Sequence, residues 1–344
     1  MNFRQFDAIV DVRSPAEYAE DHIPGAISAP VLDDSERAEV GTLYKQVSAF
    51  DAKKIGAALV AKNVSRHIDE LFKGKDQSWR PLVYCWRGGK RSGAMAHILR
   101  EIGWNADTLE GGYKAYRRWV VQQLESIPER FDWRVIHGPT GSGKSRLLGA
   151  LTHAGAQALD LEDLAAHRGS VLGNLPDRPQ PSQKMFESLL LQQVSSLQTE
   201  KLVYVEGESK KIGELQVPEA LMSRMRASPC ILLEAALDTR VDLLLDEYRH
   251  FLEDRKTLEA QLDCLVALHG REKITGWNSL AGRGAWREFV SRLLVEHYDP
   301  AYHRSSQRNF PQLADAAKLR IASAHDEAFA NAARTLLERT PVTA

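Results

Sequence analysis

Residues 137–145, HGPTGSGKS, match the phosphate-loop pattern G-x-x-x-x-G-K-[ST] completely through Gly138, Pro139, Thr140, Gly141, Ser142, Gly143, Lys144 and Ser145. Glycines here let successive backbone N–H groups turn inward around phosphate oxygens. Lys144 adds a point charge, the helix that follows adds its positive end, and Ser145 offers a hydroxyl to magnesium. The loop predicts a diphosphate ligand and leaves its owner open. ATP or GTP is the usual occupant, and a prenyl diphosphate suits the same cradle, where the protein need only neutralise departing pyrophosphate. Carboxylates that could complete such a site stand at two strand ends: Glu206 and Glu208 in KLVYVEGES, and Asp160 with Glu162 and Asp163. The metal ligand stays unassigned among them.

A second chemical centre lies upstream in VYCWRGGKRSG, residues 83–93. Cys85 ends an apolar strand, Gly88 and Gly89 free the backbone, and Arg87, Lys90 and Arg91 put positive charge beside the thiol just before a helix. Such surroundings favour thiolate, so Cys85 is predicted to be a nucleophile or the carrier of a transferred chalcogen. Cys230, in SPCILLEA, and Cys264, in QLDCLVAL, are predicted to be core residues. Three cysteines so widely spaced exclude a disulfide framework and a CxxC zinc site, and they fit a reducing cytosol.

Alternating strands and helices must position both loops. The runs FDAIVDV, AISAPV, PLVYC and NADTLEGG read as strands with helical connectors, and YKAYRRWVVQQL as a helix. SIPERFD interrupts both periodicities and predicts a linker. Beyond it come strand WRVIH, the glycine loop, helix SRLLGALTHAG, strand QALDL, helix PSQKMFESLLLQQVSSLQ and strands KLVYVEG and PCILLEA. Helices dominate from 238, including VDLLLDEYRHF and FVSRLLVEHYD. The expected fold is α/β: a parallel-sheet domain over 1–125, a linker at 126–133, a doubly wound phosphate-loop domain over 134–237, and a helical extension over 238–344 packed on the latter.

Composition agrees with two cores in 344 residues, since 43% of the chain is hydrophobic. The formal net charge of −1 gives no global basic field, so a nucleic-acid partner would need local patches. Lys114, Arg117, Arg118, Lys210 and Lys211 are candidates, followed by Arg271, Lys273, Arg283 and Arg287 near Trp277 and Trp286. No apolar run suits a signal peptide or a membrane span, so a cytoplasmic protein without membrane association is expected.

The segments DVRSPAEYAEDHIPGAI, YCWRGGKRS and LEGGYKAYRRW resemble the rhodanese family of sulfurtransferases. The resemblance implies that Cys85 carries the transferred atom, supported by Asp11, Arg13, Glu17, His22 and Gly25. Arg91 lies six residues after Cys85 where common rhodaneses have five, a spacing that also fits the C-x5-R phosphatases and a cradle for a tetrahedral phosphate. With GPTGSGKS, DLEDLAAHRGSVLG, QPSQKMFE, VEGESKKIG and YDPAY, the resemblance extends to the tRNA 2-selenouridine synthase family. It implies geranylation of a 5-substituted 2-thiouridine at the tRNA wobble position from geranyl diphosphate. Replacement of the S-geranyl group by selenium from selenophosphate then follows, so a selenophosphate-producing enzyme becomes an expected partner. It also makes His167 and Arg168 ligand-loop candidates. The competing reading is an ATP-dependent tRNA sulfurtransferase that uses a Cys85 persulfide.

Overall fold

The structure is a computed structural model and describes residues 1, 3–249, 251 and 254–339, without the side chains of 305–309. It divides into two compact units, Met1–Gln123 with Ser182–Gln192, and Leu124–Pro181 with Gln193–Ala344.

In the first unit, β1 (Ala8–Asp11), β2 (Ile27–Ser28), β3 (Pro81–Tyr84) and β4 (Asp107–Thr108) form a parallel sheet in the order β2-β1-β3-β4. All four residues of β3 are buried, as expected of a central parallel strand covered on both faces. Val10, Val83, Met95, Leu99 and Trp104 build the core around it. The polar stretch after β2 is a helical hairpin. Asp34–Gln46 starts from a capping box of Asp33 and Glu36, and Ala49–Glu70 starts where Ser48 Oγ accepts from Asp51 N–H. The helix Gln183–Ser195, read from sequence as part of the phosphate-loop domain, gives its residues up to Gln192 to this unit. There Ser188 Oγ donates to Asp21 and Arg117 pairs with Glu187.

The second unit holds β5 (Trp133–His137), β6 (Gln157–Leu159), β7 (Val203–Glu206), the antiparallel pair β8 (Lys211–Ile212) and β9 (Leu215–Gln216), β10 (Cys230–Ala235) and β11 (Ala317–Ile321). Its main sheet is parallel throughout, in the order β11-β10-β5-β7-β6. Because β5 is central and its neighbours belong to later crossovers, its carboxyl end is the switch point where such sheets bind ligands. The expected linker is the end of helix Gly112–Ser126 followed by a 3-10 turn, Ile127–Arg130.

The extension after 238 is largely helical, but AKLRI in it forms edge strand β11, with Leu319 and Ile321 turned inward. Helix Asp326–Arg339 then packs Phe329 and Ala333 into the core shared with helix Lys144–His153. The expected helix over Val241–Phe251 is Leu237–Glu247, and His250 lies outside the described residues, as do 340–344. The run FVSRLLVEHYD ends helix Trp286–Leu293 and continues as a π-helical turn, Leu294–Tyr298. Cys230 is buried as expected, whereas Cys264 is exposed: it follows the last turn of helix Arg255–Asp263, and Leu262 and Leu265 take the inward positions. No helix among the described residues is long and apolar enough to cross a membrane.

Candidate active site

Cys85 follows β3 directly and is buried. The loop after it is held by glycines. Gly88 has φ +64, and a Cβ there would stand 2.5 Å from Leu109 O; one on Gly112 would stand 2.2 Å from Cys85 O. This close approach lets the first turn of helix Gly112–Ser126 place its unpaired amides on the loop. Tyr113 N–H donates to Cys85 O at 2.9 Å and Lys114 N–H to Trp86 O at 3.0 Å. At the sulfur itself, Gly89 N–H and Ser92 Oγ–H both donate to Sγ at 3.3 Å. Burial pushes the thiol pKa up, but the hydrogen bonds from Ser92, Gly89 and Arg87 outweigh it and hold the thiol below its ordinary value.

The cations flanking Cys85 have other positions than the sequence suggests. Arg91 Nη1 donates to Glu17 Oε2 at 2.8 Å, while Arg87 and Lys90 are exposed. Thiolate character therefore comes from Ser92 and loop amides, and Ser92 is a residue the sequence reading passed over. Beneath them Arg13 donates to Asp11 through Nε and Nη2 and to Asp21 O, with its guanidinium 3.9 Å from the centroid of the Tyr113 ring. Tyr113 in turn donates to Asp21 Oδ2 at 2.7 Å. His22 stacks on Tyr18, and Gly25 takes the positive φ of the turn before β2. These groups fix the floor of the loop.

The phosphate loop runs from β5 into helix Lys144–His153, with Gly141 and Gly143 at positive φ. It forms one wall of a cleft of about 730 Å³ that also takes in Asp160, His167, Arg168, Glu208 and Lys210. Arg240, absent from the sequence reading, fixes the loop: its Nε donates to Thr140 O at 2.9 Å, and Nη1 and Nη2 grip Asp299 of the YDPAY segment at 3.0 and 2.5 Å. Its helix also presses Leu244 against Gly141, where a Cβ would sit 2.8 Å away. Next to Thr140 a small apolar cavity of about 50 Å³ opens, lined by Leu172, Leu244, Phe251, Phe289 and Leu293. Thr140, Ser170, Leu244, Tyr248 and Tyr298 line both spaces.

The strand-end acids divide their positions. Ser145 Oγ donates to Glu162 Oε2 at 3.0 Å, and Glu162 N–H donates to Glu206 Oε1 at 2.7 Å. Glu206 is fully buried under the cleft, whereas Glu208 lines it. Asp160 caps helix Leu161–Ala165 through Asp163 N–H. Burial, then Asp160, Glu162 and Glu208, raises the Glu206 carboxyl well above its ordinary value. Burial and Glu162 push Glu208 up to about 8 against the opposing pull of Lys144. For Lys144, burial disfavours the charge, but Glu208, Glu162 and Glu206 prevail and hold the ammonium above its ordinary value.

His167 is buried, and its Nδ1 accepts from Gly169 N–H at 3.1 Å. Arg168 lies over the Tyr248 ring and 3.7 Å from Glu247. His137, the last residue of β5, is buried with Nε2 unpaired; burial and Lys144 hold it down to about 4.

These shifts give a stability profile. A folded-state pKa near 8 for Glu208, against 4.5 unfolded, means that its stabilisation is complete below 4.5 and lost as pH rises through 8. His137 acts in the opposite sense, losing stability as pH falls from 6.5 through 4. The two oppose each other below 6.5; above it Glu208 acts together with Glu206, whose raised carboxyl works in the same sense. Denaturant melts in metal-free buffer should therefore show the second unit losing on the order of 2 kcal/mol or more between pH 6.5 and 8, and Glu208→Gln should reduce that loss. A flat wild-type profile over this range would contradict the assignment.

Of the basic candidates, Arg117 is partly buried and occupied by Glu187 and Lys184 O, while Lys114 and Arg118 are exposed. Lys210 pairs with Glu219 and Lys211 with Glu214, both on the surface. Lys273, Arg283 and Arg287 pair with Glu296, Glu288 and Asp242, and Trp277 is fully buried, so it presents no stacking face.

Comparison with known proteins agrees with this geometry. The rhodanese-like domain model matches residues 2–118, and the tRNA 2-selenouridine synthase AAA domain model matches 131–269. A tRNA 2-selenouridine synthase of Bdellovibrio bacteriovorus is 38% identical over 76% of this chain and 70% of its own length. This chain belongs to the tRNA 2-selenouridine synthase family. Family members from Sulfurovum sp. and Shewanella denitrificans are 32% and 35% identical and align over nearly the full length, covering 88% and 87% of this chain and 89% and 88% of their own. Both loops lie inside the segments matched by the two domain models, Cys85 in the first and Gly138–Ser145 in the second.

Proposed function

We propose that the protein converts 2-thiouridine at the tRNA wobble position into 2-selenouridine in two steps. In the first, the thiouridine sulfur attacks C1 of geranyl diphosphate, the C–O bond breaks, pyrophosphate leaves and the base loses its N3 proton. In the second, the selenium of selenophosphate adds at C2, the C2–S bond breaks and geranylthiol departs with a proton from solvent, and hydrolysis of the Se–P bond releases phosphate to leave 2-selenouridine. Alkylation makes this order sensible, because an S-alkyl group leaves far more readily than sulfide.

The observation that carries the reading is the apolar cavity beside Thr140. At about 50 Å³ the space takes only a few carbons, so its walls of Leu172, Phe251, Phe289 and Leu293 suit the apolar end of an isoprenoid chain and not a purine with its ring donors and acceptors. The amides of the phosphate loop and Lys144 would then hold the diphosphate and neutralise the charge that develops as it leaves. Ser145 and Glu162, oxygen donors within hydrogen-bond reach of each other, fit magnesium. Such an ion, when bound, supplies further neutralisation of pyrophosphate. The Cys85 loop, with a stabilised thiolate and converging amides, would hold the selenium donor. A selenophosphate-producing enzyme would supply it.

The test varies chain length. Nucleosides from 2-thiouridine tRNA are analysed by mass spectrometry after incubation with geranyl diphosphate, dimethylallyl diphosphate or ATP. Geranyl transfer is expected, with dimethylallyl diphosphate on the order of a hundred-fold poorer because five carbons no longer reach apolar contacts. Hydrolysis of ATP without alkylation would overturn the reading in favour of an ATP-dependent sulfurtransferase.

A further inference from the structure

The helical hairpin Asp34–Gln46 and Ala49–Glu70 has a tip with no role in either loop. Among the described residues, the most exposed large apolar side chains are here: Val47 at 72% and Phe50 at 69%, with Tyr44 at 54%. The hairpin is anchored at its other end. Asn63 Nδ2 donates to Val31 O, a His67 ring nitrogen meets Pro30 O, and Val64 enters the core. Near the tip, Gly56 packs on Val40 of the partner helix. From Asn63 to Phe50 the helix extends about 20 Å at 1.5 Å per residue, so the tip projects well beyond its anchor.

Charge at the tip is one-sided. Lys45, Lys53 and Lys54 stand with Asp51 as the nearby acid; Lys54 takes Asp51 at 3.0 Å and lies over the Phe50 ring. Neither Lys45 nor Lys53 joins an ion pair among the described residues, and both are exposed. Keeping aromatic faces in water gains nothing for the fold, and cations beside such faces suit bases and phosphates together. A second copy docking by two-fold symmetry would instead set the lysines against one another.

We propose that this tip docks unpaired bases of the tRNA substrate, with Tyr44 and Phe50 as stacking platforms and Lys45 and Lys53 as phosphate contacts. The inference rests on the functional reading that tRNA is the substrate.

Fluorescence anisotropy with full-length 2-thiouridine tRNA tests it. Tyr44→Ala with Phe50→Ala should weaken binding on the order of ten-fold, with an unchanged thermal melt because both side chains are exposed, and unchanged turnover at saturating tRNA. Lys45→Gln with Lys53→Gln should flatten the slope of log affinity against log salt by roughly 1.4. If both variants bind within two-fold of wild type while wild type still modifies tRNA, the inference falls and the functional reading stands. Wild type that binds no tRNA overturns both. Aromatic variants that lose binding to phosphatidylserine vesicles but keep tRNA affinity assign the tip to a membrane surface and overturn the inference.

Discussion

Cys85→Ala is expected to stop selenium insertion while leaving geranylation intact, so that S-geranyl-2-thiouridine accumulates in the tRNA. The loop around Cys85 converges on the sulfur: Gly89 N–H and Ser92 Oγ–H approach at 3.3 Å, and their pull overcomes a burial that alone would keep the thiol protonated. Such stabilisation favours the thiolate that the proposed second step would use, and losing an attacking or carrying group costs on the order of 10³-fold or more. The fold should survive the change, because Cys85 fills a core position where alanine removes a single sulfur and the Arg13–Asp11 and Tyr113–Asp21 contacts remain. Nucleoside mass spectrometry after incubation with geranyl diphosphate and selenophosphate reads both steps at once. Loss of geranylation with selenium insertion retained would reverse the assignment of the loops.

Lys144→Ala should do the opposite and leave 2-thiouridine unalkylated. Its ammonium stands among Glu208, Glu162 and Glu206, which keep it charged despite burial. Without it the cleft faces a diphosphate with carboxylates and no lysine at the loop, so both binding and departure of pyrophosphate suffer. Loss of one such electrostatic partner is worth about 10²–10³-fold in the chemical step. Initial rates of geranylation at saturating geranyl diphosphate check the figure, and a rate within a few-fold of wild type would remove Lys144 from the chemistry.

Both loops were legible in the sequence because each is local. The glycines of 138–145 and the Cys85 segment declare themselves through spacing, and the flanking strands β3 and β5 through short apolar runs. What supports them was not legible. Ser92 sits one turn into a helix, where nothing in its neighbours marks it as a thiol donor. Arg240 reaches Thr140 across 100 positions of sequence, and it and Asp299 are ordinary surface types until the fold buries the arginine. The basic clusters misled for the reverse reason: Arg117 looks like a free cation in YKAYRRW, but Glu187, far along the chain, occupies it. Strand β11 hid in a helical neighbourhood because its five residues gain their strand character only by pairing with β10.

In the proposed sequence the two loops carry separate steps. S-geranyl tRNA made by Cys85→Ala can be purified and given to Lys144→Ala with selenophosphate and no geranyl diphosphate. Conversion to 2-selenouridine with release of geranylthiol, at a rate near that of wild type, is the expected result. If Lys144→Ala leaves the geranylated tRNA unchanged while wild type converts it, the phosphate loop takes part in both steps and the division proposed here is wrong.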